Sequence, residues 1–259
     1  MMQQHREIKT RYPDAVLLFR VGDFEITSFG VLVALGALAG FIVFQRELRR
    51  AGLPEDAINA AIAGVVGGLA GAKLIWAIEF RHTAPFLDLL LSRGGLSWFG
   101  GFAGGLTAGL TSLRFYRVPL VSGLAAASPA LALGHAIGRV GCFLVGDDYG
   151  RPSTLPWAIA FPKGLPPTDV PVHPTQLYEA VALLVLAWWL LRWRRRGVAD
   201  SMVLSRYLVL AGAIRFAIEL VRINPPVLGP LTLAQLWSAA LVLAGGFIAV
   251  RAARRHGPA

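Results

Sequence analysis

Ile26-Thr-Ser-Phe-Gly-Val-Leu-Val-Ala-Leu-Gly-Ala-Leu-Ala-Gly-Phe-Ile-Val-Phe44 contains no charged residue and is followed at once by Arg46, Arg49 and Arg50. A hydrocarbon core about 30 Å thick needs roughly 20 helical residues rising 1.5 Å each, and this run has that length. Six comparable runs follow, at 58–78, 96–113, 118–145, 177–191, 202–221 and 231–250. The run 118–145 is longer than a span requires and contains Pro129, which predicts a kink or partial embedding. A shorter run, 84–91, cannot span and is expected at the interface. The fold class read from these runs is all-α: a polytopic integral membrane protein of about seven transmembrane helices. It forms a single membrane domain over 1–259, with an outer N-terminal segment 1–25 and an irregular outer loop 146–174.

Composition agrees with this reading, since 55% of the residues are hydrophobic and only 15% are charged, a balance rare in a soluble domain. A net charge of +10 raises the possibility of nucleic-acid binding, but the basic residues collect where apolar runs end instead of forming one face. No nucleic-acid partner is expected. Arg114 and Arg117 follow the third run, Arg192 and Arg194 to Arg196 the fifth, and Arg251, Arg254 and Arg255 the last. Every second loop is therefore basic, and the positive-inside rule makes those loops cytoplasmic and the N-terminus and loop 146–174 external. Arg6, Lys9, Arg11 and Arg20 are matched by Glu7, Asp14, Asp23 and Glu25, so the first 25 residues lack the apolar core of a signal peptide. Cys142 is the one cysteine, which excludes an intrachain disulfide, and it is expected in the core. Seven prolines between Pro152 and Pro174 predict irregular, rigid backbone in the outer loop.

Glycines recur at small-residue spacings, at Gly64, Gly67, Gly68 and Gly71, and again at Gly100, Gly101, Gly104, Gly105 and Gly109. Close helix packing is the favoured reading over ligand contact. Ionisable groups at membrane depth are costly and point to function. Five stand within the runs: Lys73, His135, Arg139, Arg215 and Glu219. His135 and Arg139 are four residues apart, as are Arg215 and Glu219, so each pair shares a helix face. Arg215 with Glu219 could be a self-satisfied ion pair, and Lys73 and Arg222 could snorkel to the interface. Arginines on two different runs, joined by Lys73, would instead form an anion site suited to phosphate. After the fourth run, Gly138, Gly141, Gly146 and Gly150 permit close backbone approach, and Asp147 and Asp148 are expected near Arg139 and Arg151. A capped, charged turn is the plainer reading of that segment.

Gly138-Arg-Val-Gly-Cys-Phe-Leu-Val-Gly-Asp-Asp-Tyr-Gly-Arg151, His173-Pro-Thr-Gln-Leu-Tyr-Glu179 and Arg215-Phe-Ala-Ile-Glu-Leu-Val-Arg222 stand in this order. In them the chain resembles the prolipoprotein diacylglyceryl transferases, a likeness running from about Phe29 to Gln235. Gly94-Gly-Leu-Ser-Trp-Phe-Gly-Gly101 resembles a fourth family segment. The resemblance implies transfer of a diacylglyceryl group from phosphatidylglycerol to the lipobox cysteine of a preprolipoprotein signal peptide. It implies no cofactor, and no metal-ligand or nucleotide motif is present. Arg139 falls on the family's essential arginine. Arg139 and Arg215 are expected to stabilise the leaving phosphate, and Lys73, Gly100, Gly101, Gly150, His173, Gln176, Tyr178 and Arg222 to bind substrate. Four positions depart from the family pattern: Phe99 replaces a catalytic histidine, Phe29 a tyrosine, and Cys142 and Val145 two asparagines. His135, Asp147 and Glu219 are then the alternatives for the base. Membrane lipids are expected around the spans, in a bacterial inner membrane. The competing readings are a catalytically idle or re-purposed homologue and an anion or lipid transporter, although no internal repeat is visible.

Overall fold

The structure, a computed structural model, describes residues 17–21, 24–92 and 95–255. Most of the expected outer N-terminal segment and Gly94 of the fourth motif lie outside them. A hairpin of β1 (Leu17–Val21) and β2 (Phe24–Thr27) leads into α1 (Ser28–Arg50). A 3-10 turn at Glu55–Ile58 precedes α2 (Asn59–Glu79), then come α3 (Phe86–Leu91), α4 (Trp98–Phe115) and α5 (Leu120–Val145). The strands β3 (Ile159–Phe161) and β4 (Thr168–Val172) precede α6 (Thr175–Arg195) and α7 (Asp200–Glu219). A last hairpin, β5 (Pro226–Leu228) with β6 (Leu231–Thr232), enters α8 (Leu233–Arg255).

Each expected run falls on one long helix, and five of these, α1, α2, α5, α7 and α8, are long and apolar enough to cross a membrane. In α4 five glycines dilute the apolar content, while α6 begins with Thr175, Gln176 and Glu179 and ends in arginines. The faces these helices expose carry large apolar side chains such as Leu243 and Phe247, a cost that only lipid removes. The chain is an all-α, multi-pass membrane protein. α5 continues as one helix through Pro129, and the small residues Ala125, Ala126 and Ala130 beside it are buried. Loop 146–174, expected outside, is less irregular than its prolines suggest. β3 and β4 pair antiparallel, Ile159 with Val172 and Phe161 with Thr168, with Pro166 and Pro167 confined to the connection.

Two compact units make up the chain: the described parts of 1–42 with 128–259, and Val43–Ala127. In the second unit α2 and α4 pack backbone to backbone. A Cβ on Gly71 would lie 2.3 Å from the Gly100 carbonyl oxygen, and one on Gly100 2.2 Å from that of Gly71. Only glycine permits that approach. One end of the pair is tied by the Asn59 amide donating to the Tyr116 hydroxyl at 2.9 Å. In the first unit α1 and α5 meet through Gly36 and Gly134, and the Ser205 hydroxyl donates to the Gly245 carbonyl at 2.8 Å to join α7 to α8. Arg194, paired with Asp200 at 2.9 Å, fixes the α6–α7 turn.

A valine at Gly100 must push α2 and α4 apart, so Gly100→Val should destabilise the fold by at least the roughly 1–3 kcal/mol typical of overpacking. Gly109→Ala meets only ordinary contacts, the nearest at 3.6 Å, and should be neutral or stabilising. Thermal unfolding in detergent checks both, and equal melting temperatures for the two variants would contradict the packing argument.

Candidate active site

Every group of the charged cluster belongs to the first unit. Arg139 comes from the C-terminal third of α5, Glu179 from the second turn of α6, Arg215 and Glu219 from the end of α7, and Arg222 from the residues just after it. Arg139 Nε stands 2.9 Å from Glu179 Oε2, and its Nη1 donates to Asp148 Oδ2 at 2.8 Å. Arg222 Nη2 donates to the other oxygen of Asp148 and its Nε lies 3.7 Å from Glu219 Oε2. Arg215 Nη2 reaches the same Glu219 oxygen at 2.7 Å. Glu219 Oε1 accepts from Asn224 at 2.6 Å and from the Thr232 hydroxyl at 2.8 Å. Three guanidinium groups thus meet three carboxylates. Among the described residues Arg215 Nη1 is buried with no hydrogen-bond partner, so the cluster retains unused donor capacity.

Close approach of three chain segments makes this possible. The Gly150 amide donates to the His173 carbonyl at 2.9 Å, and the Arg151 amide to that of Val221 at 2.8 Å. A Cβ at Gly150 would stand 2.6 Å from the Val221 oxygen and 2.8 Å from Thr175 Cγ2. Between this crossing and α5, Asp148 adopts a left-handed conformation with φ 60°, and its carbonyl accepts from Thr175 Oγ1 at 2.7 Å. The Asp147 carbonyl accepts from Gln176 Nε2. The loop backbone is therefore pinned to the start of α6, and the partners of the two aspartate side chains diverge: Asp148 takes guanidinium groups and Asp147 takes Cys142.

Their electrostatics diverge too. Burial pushes the Asp147 carboxyl above its ordinary range, an effect that the Cys142 hydrogen bond opposes and the Asp148 charge reinforces. For Asp148 burial acts in the same sense, but the hydrogen bond and charge of Arg222, and then those of Arg139, outweigh it and hold this carboxyl below its ordinary range. Cys142, expected in the core, is half-buried at the edge of the cluster, 3.8 Å from Arg139 Nη1. Its sulfur and carboxylate oxygens of Asp147 and Asp148 lie within 4.8 Å of one another, a spacing a metal could use. Both oxygens of Asp148 are already held by guanidinium groups, and Cys142 and Asp147 are hydrogen-bonded to each other.

Among the expected site residues His135 joins the cluster: its Nε2 lies 3.7 Å from Glu179 Oε1, one turn before Arg139. Arg222 does as well, and it is buried within the cluster instead of snorkelling. Arg151, expected beside the aspartates, instead donates through Nε to the Arg222 carbonyl at 3.2 Å. Lys73, Gly100 and Gly101 belong to the other unit. There the Lys73 ammonium donates to the Ser92 carbonyl at 2.7 Å and hydroxyl at 2.8 Å and sits 4.6 Å from the Trp76 ring centroid. Gly100 is a packing contact. Tyr178 accepts from Trp157 Nε1 at 2.7 Å and lies 3.3 Å from His173 Nδ1, so with Gln176 these residues brace loop 146–174. Asp148 stands beside Arg139 as expected, whereas one member of the cluster, Glu179, was not singled out from sequence. Glu179 closes the His-Pro-Thr-Gln-Leu-Tyr-Glu motif four residues into α6, a position that carried the missing signal.

Comparison with known proteins places this cluster in context. The chain is similar to the phosphatidylglycerol–prolipoprotein diacylglyceryl transferase of Geobacter sulfurreducens, with 32% identity over 92% of this chain and 95% of the relative. It is similar to the like-named proteins of Clostridium tetani, 31% identical over 81% of this chain and 86% of the relative, and Nitratidesulfovibrio vulgaris, 33% identical over 83% of each. A family model described as prolipoprotein diacylglyceryl transferase matches residues 16–251, a range holding all three arginines and their three carboxylates, and on that match the chain belongs to the prolipoprotein diacylglyceryl transferase family.

Proposed function

We propose that this protein transfers the diacylglyceryl group of phosphatidylglycerol to the lipobox cysteine of a preprolipoprotein signal peptide, in a bacterial inner membrane. The observation that carries the reading is the meeting of Arg139, Arg215 and Arg222 at one end of α5 and α7, with Arg215 Nη1 left unpaired. A low-dielectric site of guanidinium forks suits a phosphodiester. In the reaction the acceptor sulfur bonds to the terminal glyceryl carbon as that carbon's bond to the phosphate oxygen breaks. The electron pair leaves with glycerol phosphate, and the thiol proton passes to a base. Arg139 and Arg215 stabilise the negative charge gathering on the departing phosphate, and Arg222 holds the headgroup. No cofactor is needed, and surrounding lipid supplies the donor.

Phe99, half-exposed with its ring edge-on to Trp98 at 5.4 Å, cannot accept a proton. Support for His135 as the base comes from Glu179, which faces its Nε2 and can orient the imidazole, leaving Nδ1 for the thiol. Glu219 is a weaker base, since Arg215, Arg222, Asn224 and Thr232 already occupy it. The arginines ending α1, α4, α6 and α8 orient the chain with the N-terminus and loop 146–174 outside and the C-terminus in the cytoplasm, so the charged cluster faces the side from which lipoproteins emerge.

Arg139→Ala and Arg215→Ala should each lower transfer to a lipobox peptide by about 100-fold or more while the folded protein is retained, the usual scale for a lost transition-state donor. Near-normal turnover in either variant would remove the anion site from the mechanism. His135→Gln should depress turnover strongly at neutral pH. Raising the pH toward the ordinary thiol pKa of about 8.5 should recover part of the loss, because the acceptor then ionises without help. A pH-independent deficit would count against His135. Single cysteines introduced in loop 146–174 and in residues 196–199 should be labelled by impermeant reagents from opposite sides of the membrane, and labelling from the same side would overturn the orientation.

A further inference from the structure

Of the three carboxylates in the cluster, Asp148 differs from the others in every respect that governs movement. Side-chain exposure is 2% for Glu179 and 0% for Glu219, whereas Asp148 is 41% exposed. It also bridges two cations, presenting one oxygen to Arg139 Nη1 and the other to Arg222 Nη2. Two non-bridging oxygens of a phosphodiester span a pair of guanidinium groups in the same manner. The backbone at Asp148 is fixed by Thr175 Oγ1 and by its left-handed φ, so the carboxylate can leave by rotation of its own side chain with no change in the loop. Held ionised by its partners, it completes a cluster in which three positive and three negative charges cancel.

Resting on the proposed function, the geometry points to Asp148 as an internal stand-in for the donor's phosphate, seated on Arg139 and Arg222 before the donor binds and displaced by the headgroup. Buried cations without a counter-charge are strongly unfavourable, so the stand-in keeps the arginines gathered and ordered. It also sets the affinity of the site. An incoming phosphate gains the arginines only by releasing Asp148 to water, so uncharged or weakly anionic polar groups do not hold the site, and binding of phosphatidylglycerol is weaker than the arginines alone would give. Displacement leaves one phosphate charge where one carboxylate charge stood, and net neutrality is preserved.

The test is calorimetric titration of glycerol phosphate into the full-length protein in a non-ionic detergent, comparing the unaltered chain with Asp148→Asn and Asp148→Ala. Removing the competing charge should tighten binding about fivefold or more in both variants, the scale of one like charge withdrawn from a partly exposed site. Unchanged or weaker binding in folded variants overturns the proposal. Should neither variant fold, carbodiimide-driven amine labelling of Asp148 in the unaltered protein decides: glycerol phosphate should raise it severalfold, and constant or reduced labelling overturns the idea. Arg139→Ala separates the two readings. If neither the unaltered protein nor the Asp148 variants bind and Arg139→Ala retains transfer, the anion site itself falls; if the unaltered protein binds through Arg139 but the Asp148 variants do not tighten, only the stand-in does.

Discussion

Glu219, with its side chain wholly enclosed, is the charge around which the candidate site is organised. A carboxylate buried at the end of a membrane helix is tolerable only if fully compensated. Its partners come from its own helix at Arg215, from the turn beyond it at Arg222 and Asn224, and from β6 at Thr232. Those contacts fix how α7 ends and how the chain enters α8. Glu179 does the same for α5 and α6, with one oxygen toward Arg139 and the other toward His135. Remove either carboxylate and arginines from different helices would repel one another at short range.

Two kinds of order coexist in the chain, and they rest on different forces. In the α2–α4 pair, where Gly71 and Gly100 let backbone touch backbone, cohesion is close packing, as expected where lipid denies helices any hydrophobic reason to associate. Toward the loop end of α5, α6 and α7 cohesion is ionic and directional. The departures at Cys142 and Val145 fall at this second place, whereas Phe99 belongs to the other unit. Cys142 puts a thiol 3.8 Å from Arg139.

Much of this was legible in the sequence because the bilayer imposes a length and a polarity on every span. The apolar runs located the helices to within a few residues at most ends, although α1 and α8 extend about one and a half turns further into their arginines. The four-residue spacing of Arg215 and Glu219 put them on one helix face, and there they pair at 2.7 Å. Harder to see was which of two adjacent aspartates meets the arginines. That depends on a left-handed backbone at Asp148, which sequence favours at glycine and leaves rare at aspartate. Glu179 read as an unremarkable acid near a helix start, since only the tertiary arrangement brings Arg139 to it. Lys73 stood out by its charge alone, and its carbonyl partners at Ser92 and Gly95 belong to irregular backbone that no periodicity reveals. Proline content pointed to an irregular loop and not to the β3–β4 pairing, which takes Pro171 into β4 itself.

The order in which the ion pairs occur along the chain has a consequence for biogenesis. Arg139 reaches the bilayer nine residues ahead of Asp148, so its first counter-charge follows in the same stretch of chain, long before Glu179 is available. Arg215 and Glu219 enter together on α7, and Arg222 three residues later completes both Glu219 and Asp148. At each stage of synthesis the newest cation thus finds an acid already inserted or about to emerge. An insertion machine that releases helices one by one would never hand the lipid an arginine stranded for long.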